Sequence, residues 1–258
     1  MSESMASITA PPPLSVTVHA ARVTHGGEAL FDGLDITLAA GRWTCLLGTS
    51  GVGKSTLLHL ILGLKETEQR AGGGDTVTCS DGLPLAGRAA FMAQTDLLLP
   101  WLTALDNVNL GRRLRGSHDG GEVEARALLD QVGLAANAGD RPATLSGGMR
   151  QRVALARTLM ENRPVVLMDE PFSALDAITR IKLQNLAAEL LRGRTVFLVT
   201  HDPLEALRLG HRIHVMAGRP ARLGEAMEPA GSPPRNVDDR QLLEMQGDLL
   251  CRLAEASS

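Results

Sequence analysis

The chain reads as an α/β protein built on a mainly parallel sheet, with a block of helices inserted into it. Three observations predict this. A short apolar run, residues 43–47, leads straight into a glycine-rich loop, and helical spacing follows over 55–64. From residue 165 to 216, apolar runs of strand length alternate with helical stretches, as in parallel strands covered by helices. Between these regions, residues 100–160 lose strand character, and Ala, Leu, Arg and Glu dominate.

Taken in order, residues 1–13 mix Ser and Ala with three consecutive prolines and lack an apolar core or basic start. They are expected to be a disordered lead-in and not a secretory signal. Residues 14–18 and 34–38 alternate apolar and polar side chains, which predicts half-buried strands near a sheet edge. The glycine-rich stretch 71–85 predicts surface strands and turns. Residues 100–160 predict an inserted helical subdomain with a polar break at 116–121. The alternation then resumes with a strand at 165–168, a helix near 180–192, a strand at 196–200, a helix from Pro203 and a strand at 213–216. A Pro/Gly stretch after Glu228 ends the core. Residues 238–254 predict a last helix that docks Leu242, Leu243, Leu249, Leu250 and Leu253 on the body as one stripe. There is no internal repeat.

Bulk properties exclude several functions. The net charge of −3 provides no basic surplus for nucleic acid, and with 2% aromatics and no tyrosine there is no base-stacking platform. Cys45, Cys79 and Cys251 are odd in number and far apart, which fits a reducing compartment. The longest apolar runs are too short to cross a bilayer, so any membrane role is expected to be peripheral.

The chemistry lies in two places. In Gly48-Thr49-Ser50-Gly51-Val52-Gly53-Lys54-Ser55, the glycines let successive backbone N–H groups face phosphate oxygens, and the following helix adds its positive N-terminal end. Lys54 is expected to reach the β- and γ-phosphates, the Ser55 hydroxyl to bind Mg²⁺, and Thr56 to assist at the α-phosphate. Alone, the stretch also reads as a glycine-rich turn; the flanking strand and helix favour the phosphate loop. Asp169 and Glu170 end the apolar run 165–168 and so emerge at the C-terminal edge of the sheet. There Asp169 suits the magnesium shell and Glu170 suits activation of an attacking water.

Leu145-Ser146-Gly147-Gly148-Met149-Arg150-Gln151, lying between those two motifs, resembles the signature sequence of ATP-binding cassette transporter subunits. The resemblance runs from about residue 14 to 223. It implies a P-loop NTPase core, an N-terminal antiparallel β subdomain and a helical subdomain at about 95–160. The ATPase domain would occupy 14–225, followed by a linker and C-terminal helix over 226–258. It also implies ATP and Mg²⁺ as cofactors and an ATP-dependent head-to-tail homodimer. In that dimer Ser146, Gly147 and Gly148 of one copy would close over the γ-phosphate held by the other. By the same resemblance Gln94 is the Q-loop glutamine linking metal and γ-phosphate to the helical subdomain. Asp176 of Ser173-Ala174-Leu175-Asp176 communicates across the dimer, and His201 is the switch histidine at the γ-phosphate. The family stacks an aromatic ring on adenine. His25 stands at that place here, either stacking or simply exposed.

Leu-Leu-Pro-Trp-Leu-Thr over 98–103 and Thr200-His201-Asp202-Pro203 are similar to the branch importing nitrate, sulfonate, taurine or thiamine precursors. That branch implies a separate integral membrane permease, a solute-binding protein and a peripheral place on the cytoplasmic face of the inner membrane. Leu99 and Trp101 either line a permease groove or pack within the helical subdomain, with packing favoured for Trp101. The alternative function is a soluble, non-transport cassette such as a cluster-assembly ATPase.

Overall fold

A computed structural model describes residues 11–65, 75–116 and 120–256. The expected lead-in over 1–13 and the polar break at 116–121 thus lie partly outside the described residues, as does the start of the 71–85 stretch.

Strands β1 (Val16–His25) and β2 (Glu28–Leu38) form an antiparallel hairpin. Its turn is Gly26-Gly27, with φ of 62° and 86°. A two-residue turn needs both central residues at positive φ, which glycine adopts without a steric penalty. The hairpin extends well beyond the alternation at 14–18, with register slips in β1 between Val18 and Ala21, between Ala21 and Arg22 and between Val23 and Thr24. The slip between Val18 and Ala21 moves burial from Val16 and Val18 to Ala21 and Val23, which breaks the period-two signal.

β3 (Trp43–Gly48) and α1 (Lys54–Ile61) flank the glycine loop. β4 (Val77–Cys79) pairs with β1, completing an antiparallel sheet of order β2-β1-β4. The main sheet adds β5 (Ala89–Met92), β6 (Val165–Asp169), β7 (Thr195–Val199), β8 (Arg212–Ala217) and the short β9 (Arg222–Leu223). Its order is β5-β6-β7-β3-β8-β9, parallel throughout except for β9, which runs antiparallel to β8.

Every residue of β3 and β7 is buried, and alternate side chains serve opposite cores. Leu46, Leu167 and Phe197 join α1 and the antiparallel sheet on one face. Cys45, Met168 and Leu198 join the helices on the other. Burial on both faces is why these strands read as continuous apolar runs rather than alternating ones.

The second face carries α2 (Ala104–Leu114), α3 (Gly121–Gln131) and α4 (Gly147–Met160), which share Val108, Leu128, Leu129 and Val153. Thr103 caps α2 by accepting from the Asp106 N–H at 3.1 Å. Fully buried Asn107 accepts from the Leu99 N–H at 2.8 Å and donates to the Leu99 carbonyl at 3.2 Å. This amide clamp holds the loop before α2 on its backbone groups. Trp101 is therefore free to point outward, and it is 66% exposed. The expectation that it packs inside the helical region is corrected.

α5 (Ala177–Leu190) and α6 (Pro203–Leu209) follow β6 and β7, and α7 (Arg240–Glu255) packs on α6. The expected leucine stripe on α7 also needs correction. Leu242 and Leu249 are buried, whereas Leu243 and Leu250 are half exposed. Positions seven apart nearly superimpose on a helix, but adjacent ones diverge by about 100°, so both pairs cannot face the body. Among the described residues, no helix is long and apolar enough to cross a membrane.

Candidate active site

The phosphate-loop motif folds as its glycines demand. Gly51 and Gly53 sit at φ 78° and 113°, values that L side chains rarely adopt. Gly53 also lies against Phe31, where an added Cβ would come within 2.8 Å of Cε1. Gly48 is pressed on the Met216 carbonyl, 2.7 Å from a Cβ placed there. The loop is thus seated between β2 and β8. Val52 is buried in the core beneath it. Lys54, also buried, donates to the carbonyls of Gly48 at 2.8 Å and Thr49 at 2.9 Å. Burial lowers its pKa, opposed by the carboxylates of Glu170 and Asp169.

A cleft of about 280 Å³ opens over the loop, lined by Ser50, Gly51, Gly53, Lys54, Ser55 and Thr56, with His25, Leu30 and Glu170 around them. Asp169 ends β6 and accepts a hydrogen bond from the Ser55 side chain; burial nevertheless raises its pKa. The next residue, Glu170, has φ 45°, a strained position for a side chain with a Cβ. It is held by three bonds. Its N–H donates to the Val199 carbonyl at 2.8 Å, and its carbonyl accepts from the Ser173 hydroxyl at 3.0 Å and N–H at 3.3 Å. The turn brings the Glu170 carboxylate into the cleft. There Oε2 accepts from Gln94 Nε2 at 3.2 Å and lies 2.9 Å from His201 Nδ1. Three residues 76 and 31 positions apart in sequence thus converge on one oxygen.

Ser146, Gly147, Gly148 and Asp176 are not in this group. They line a separate cleft of about 370 Å³ together with Arg152, Leu175 and Thr179. Ser146 caps α4, accepting from the Met149 N–H at 3.3 Å. Gly148 allows α4 to approach α5, since a Cβ there would sit 2.8 Å from Thr179 Cγ2.

The structure adds residues that the sequence did not single out. Leu30 shares the first cleft with His25. Arg150 and Arg157, seven apart and so on one face of α4, grip the loop after Gln94. Arg150 Nε pairs with Asp96 Oδ2 at 2.9 Å, and Arg157 donates to the carbonyls of Leu97 at 2.8 Å and Asp96 at 2.5 Å. Gln151 Nε2 donates to the Gln94 carbonyl at 3.3 Å. Only the seven-residue spacing of the arginines hints at this in the sequence. On the same loop Leu97, like Trp101, is exposed, at 60%.

Comparison with known proteins gives the class. The family model described as ABC transporter matches residues 31–173, just over half of the chain. The chain belongs to the ABC transporter ATP-binding family. An ABC transporter ATP-binding protein of Haemophilus influenzae is 45% identical to it, covering 88% of this chain and 93% of that one. Two relatives are named aliphatic sulfonates import ATP-binding proteins. The one from Burkholderia cenocepacia is 39% identical, covering 93% and 87%, and the one from Rhodococcus jostii is 43% identical, covering 87% of each chain. Among solved structures, a dimeric post-hydrolysis ATP-binding cassette bound to ADP and Pi is 30% identical with a TM-score of 0.67, covering 84% of this chain and 99% of that one. An inward-facing metal-chelate type ABC transporter is 26% identical with a TM-score of 0.70, covering 82% and 83%. Membership establishes the expected fold, and this ABC ATPase binds and hydrolyses ATP.

Proposed function

We propose that this ABC ATPase is the energy-coupling subunit of an importer, working as an ATP-dependent homodimer beneath a separate permease. The observation that carries this reading is the division of the site into two clefts with no lining residue in common. In this reading phosphates seated on Lys54 meet Ser146, Gly147 and Gly148 of a second copy, arranged head to tail, because these residues line the other cleft of their own chain. In this reading residues 14–225 form the ATPase unit, with the helical part at about 95–160, and 226–258 form a linker and terminal helix.

The geometry supports the following roles. Lys54 exchanges the carbonyls of Gly48 and Thr49 for the β- and γ-phosphates, while the backbone of 48–53 and the hydroxyls of Ser55 and Thr56 complete the cradle. Ser55, Asp169 and Gln94 offer only oxygen donors with a single carboxylate. This set suits Mg²⁺, which prefers few protein ligands completed by phosphates and water. When bound, the ion would neutralise charge between the β- and γ-phosphates. Glu170 accepts a proton from the attacking water, and Gln94 and His201 hold its carboxylate in place. His25 and Leu30 receive the base, with less stacking area than a phenol ring offers. Asp176 faces the partner copy.

Leu97 and Trp101 are exposed apolar side chains on the loop that follows Gln94, which Arg157 clamps to α4. They suit a short cytoplasmic helix of the permease. The sulfonate-import relatives support an alkyl sulfonate as cargo, within the wider nitrate, sulfonate, taurine and thiamine-precursor branch. Such a system includes a solute-binding protein and places this subunit peripherally on the cytoplasmic face of the inner membrane.

The test is a Glu170→Gln variant analysed by size exclusion with light scattering, alongside affinity purification of the tagged parent from solubilised native membranes. The expected result is a dimer that appears only with ATP and turns over at least about 100-fold more slowly, with a multi-span permease co-purifying from membranes. Parent-like turnover in Glu170→Gln removes Glu170 as the base. Recovery only from the soluble fraction, without a membrane protein, would shift the reading to a soluble assembly ATPase.

A further inference from the structure

One side chain joins the two clefts within a single chain. Asp176 caps α5, accepting from the Thr179 N–H at 3.0 Å, and Arg180 lies one turn further on. Its Nη2 donates to the Leu175 carbonyl at 3.0 Å, and its Nη1 donates to Asp202 Oδ2 at 3.1 Å. Leu175 and Asp176 line the Ser146 cleft, whereas Asp202 directly follows His201, whose ring meets Glu170 of the phosphate-loop cleft. Arg180 Nε is buried and makes no hydrogen bond among the described residues. The guanidinium therefore rests on these two loops.

Asp202 is itself fixed. Its Oδ1 accepts from the N–H groups of Leu204 at 3.0 Å and Glu205 at 3.3 Å, capping α6, and its own N–H donates to Thr200 Oγ1 at 3.0 Å. A displacement passed to Asp202 cannot be absorbed by rotation of its side chain. It shifts the peptide 200–202, and with it the His201 ring 2.9 Å from Glu170 Oε2.

We propose that Arg180 is a positioning residue for ATP hydrolysis: it ties the loop 173–176 at the Ser146 cleft to the His201–Glu170 pair. Closing a partner copy on the one cleft thereby sets the carboxylate geometry in the other. This rests on the head-to-tail dimer proposed above. A lysine cannot substitute, because a single ammonium lacks the planar fork that spans two acceptors in fixed directions.

The experiment measures steady-state ATP hydrolysis by Arg180→Gln, Arg180→Lys, Asp202→Asn and the Arg180→Gln/Asp202→Asn double variant. Thermal melts and equilibrium binding of a fluorescent ATP analogue accompany it. Asparagine keeps the α6 cap and removes the charge. Each single variant is expected to lose about 10- to 100-fold in kcat while KM and analogue affinity stay within about twofold. The double variant should be no slower than the slower single one, because both break one link. If Arg180→Gln does not fold, Arg180→Lys and Asp202→Asn carry the comparison. Parent-like kcat in folded variants, losses that multiply in the double variant, or a parallel loss of nucleotide affinity would overturn the proposal. ATP-dependent dimerisation of Glu170→Gln reports on the underlying dimer by itself. An intact dimer with unaffected Arg180 variants overturns only the coupling role.

Discussion

Replacing Gly53 with alanine separates two reasons for a glycine in a phosphate loop. The backbone at Gly53 has φ 113°, and the new Cβ would meet Phe31 Cε1 at 2.8 Å and Cζ at 3.0 Å. Comfortable carbon contacts lie at about 3.5–4.0 Å, so the ring must retreat by roughly 0.7–1.2 Å. Phe31 is 1% exposed and embedded in the core under the antiparallel sheet. Overpacking of this kind costs about 1–3 kcal/mol, and the backbone strain adds about 1–3 kcal/mol. Gly51 is the control. It also has positive φ, 78°, but a Cβ there meets nothing within 4 Å, leaving only the strain. Thermal melting without nucleotide should therefore rank parent, Gly51→Ala and Gly53→Ala in falling order. The two variants should differ by about 1–3 kcal/mol, or roughly 2–10 °C for a chain of this size. If Gly53→Ala melts with Gly51→Ala or above it, the contact with Phe31 does not constrain the loop and the argument fails.

Two further outcomes are expected. Lys54→Ala removes the ammonium that bridges the carbonyls of Gly48 and Thr49; it should lower ATP affinity by at least about 10-fold. Isothermal titration checks this, and unchanged affinity would contradict the assignment. Glu205 is buried, with its pKa pushed up to about 8 by burial first and by Asp202 second. Because the folded value exceeds the usual 4.5, the stability from holding that proton is complete below about pH 4.5 and disappears as pH rises through about 8. Between about pH 6 and 8.5 the parent should lose about 2–3 kcal/mol that Glu205→Gln, neutral throughout, does not lose. Urea midpoints at both pH values measure the difference, and equal slopes would show that Glu205 does not titrate as described.

The parts of the site that were legible in sequence are those whose determinants are local. The run 43–47, the loop and α1 are contiguous, so their order alone predicts a phosphate cradle. The burial of β6 and β7 on both faces is likewise written in consecutive apolar residues. Elements failed where the signal is broken or shared over distance. The register slips of β1 hid half of the hairpin. The stripe on α7 was drawn too wide because leucine identity does not say which 100° sector meets α6. Trp101 was misassigned because its exposure depends on Asn107, which anchors the loop by its backbone and leaves the indole unneeded in the core.

The sequence by itself determined the class of chemistry and the residue types proposed to perform it. Glycines, lysine, hydroxyls and terminal carboxylates each act through their own immediate backbone surroundings, and a linear motif records those surroundings. Only the tertiary structure decided which distant groups share an atom. It brought Gln94 and His201 to one oxygen of Glu170, set Phe31 under Gly53, and laid Arg180 between Leu175 and Asp202. The physical reason is that hydrogen bonds and steric contacts extend only a few ångströms through space. Residues far apart along the chain come within that range only after the two cores have closed around the sheet.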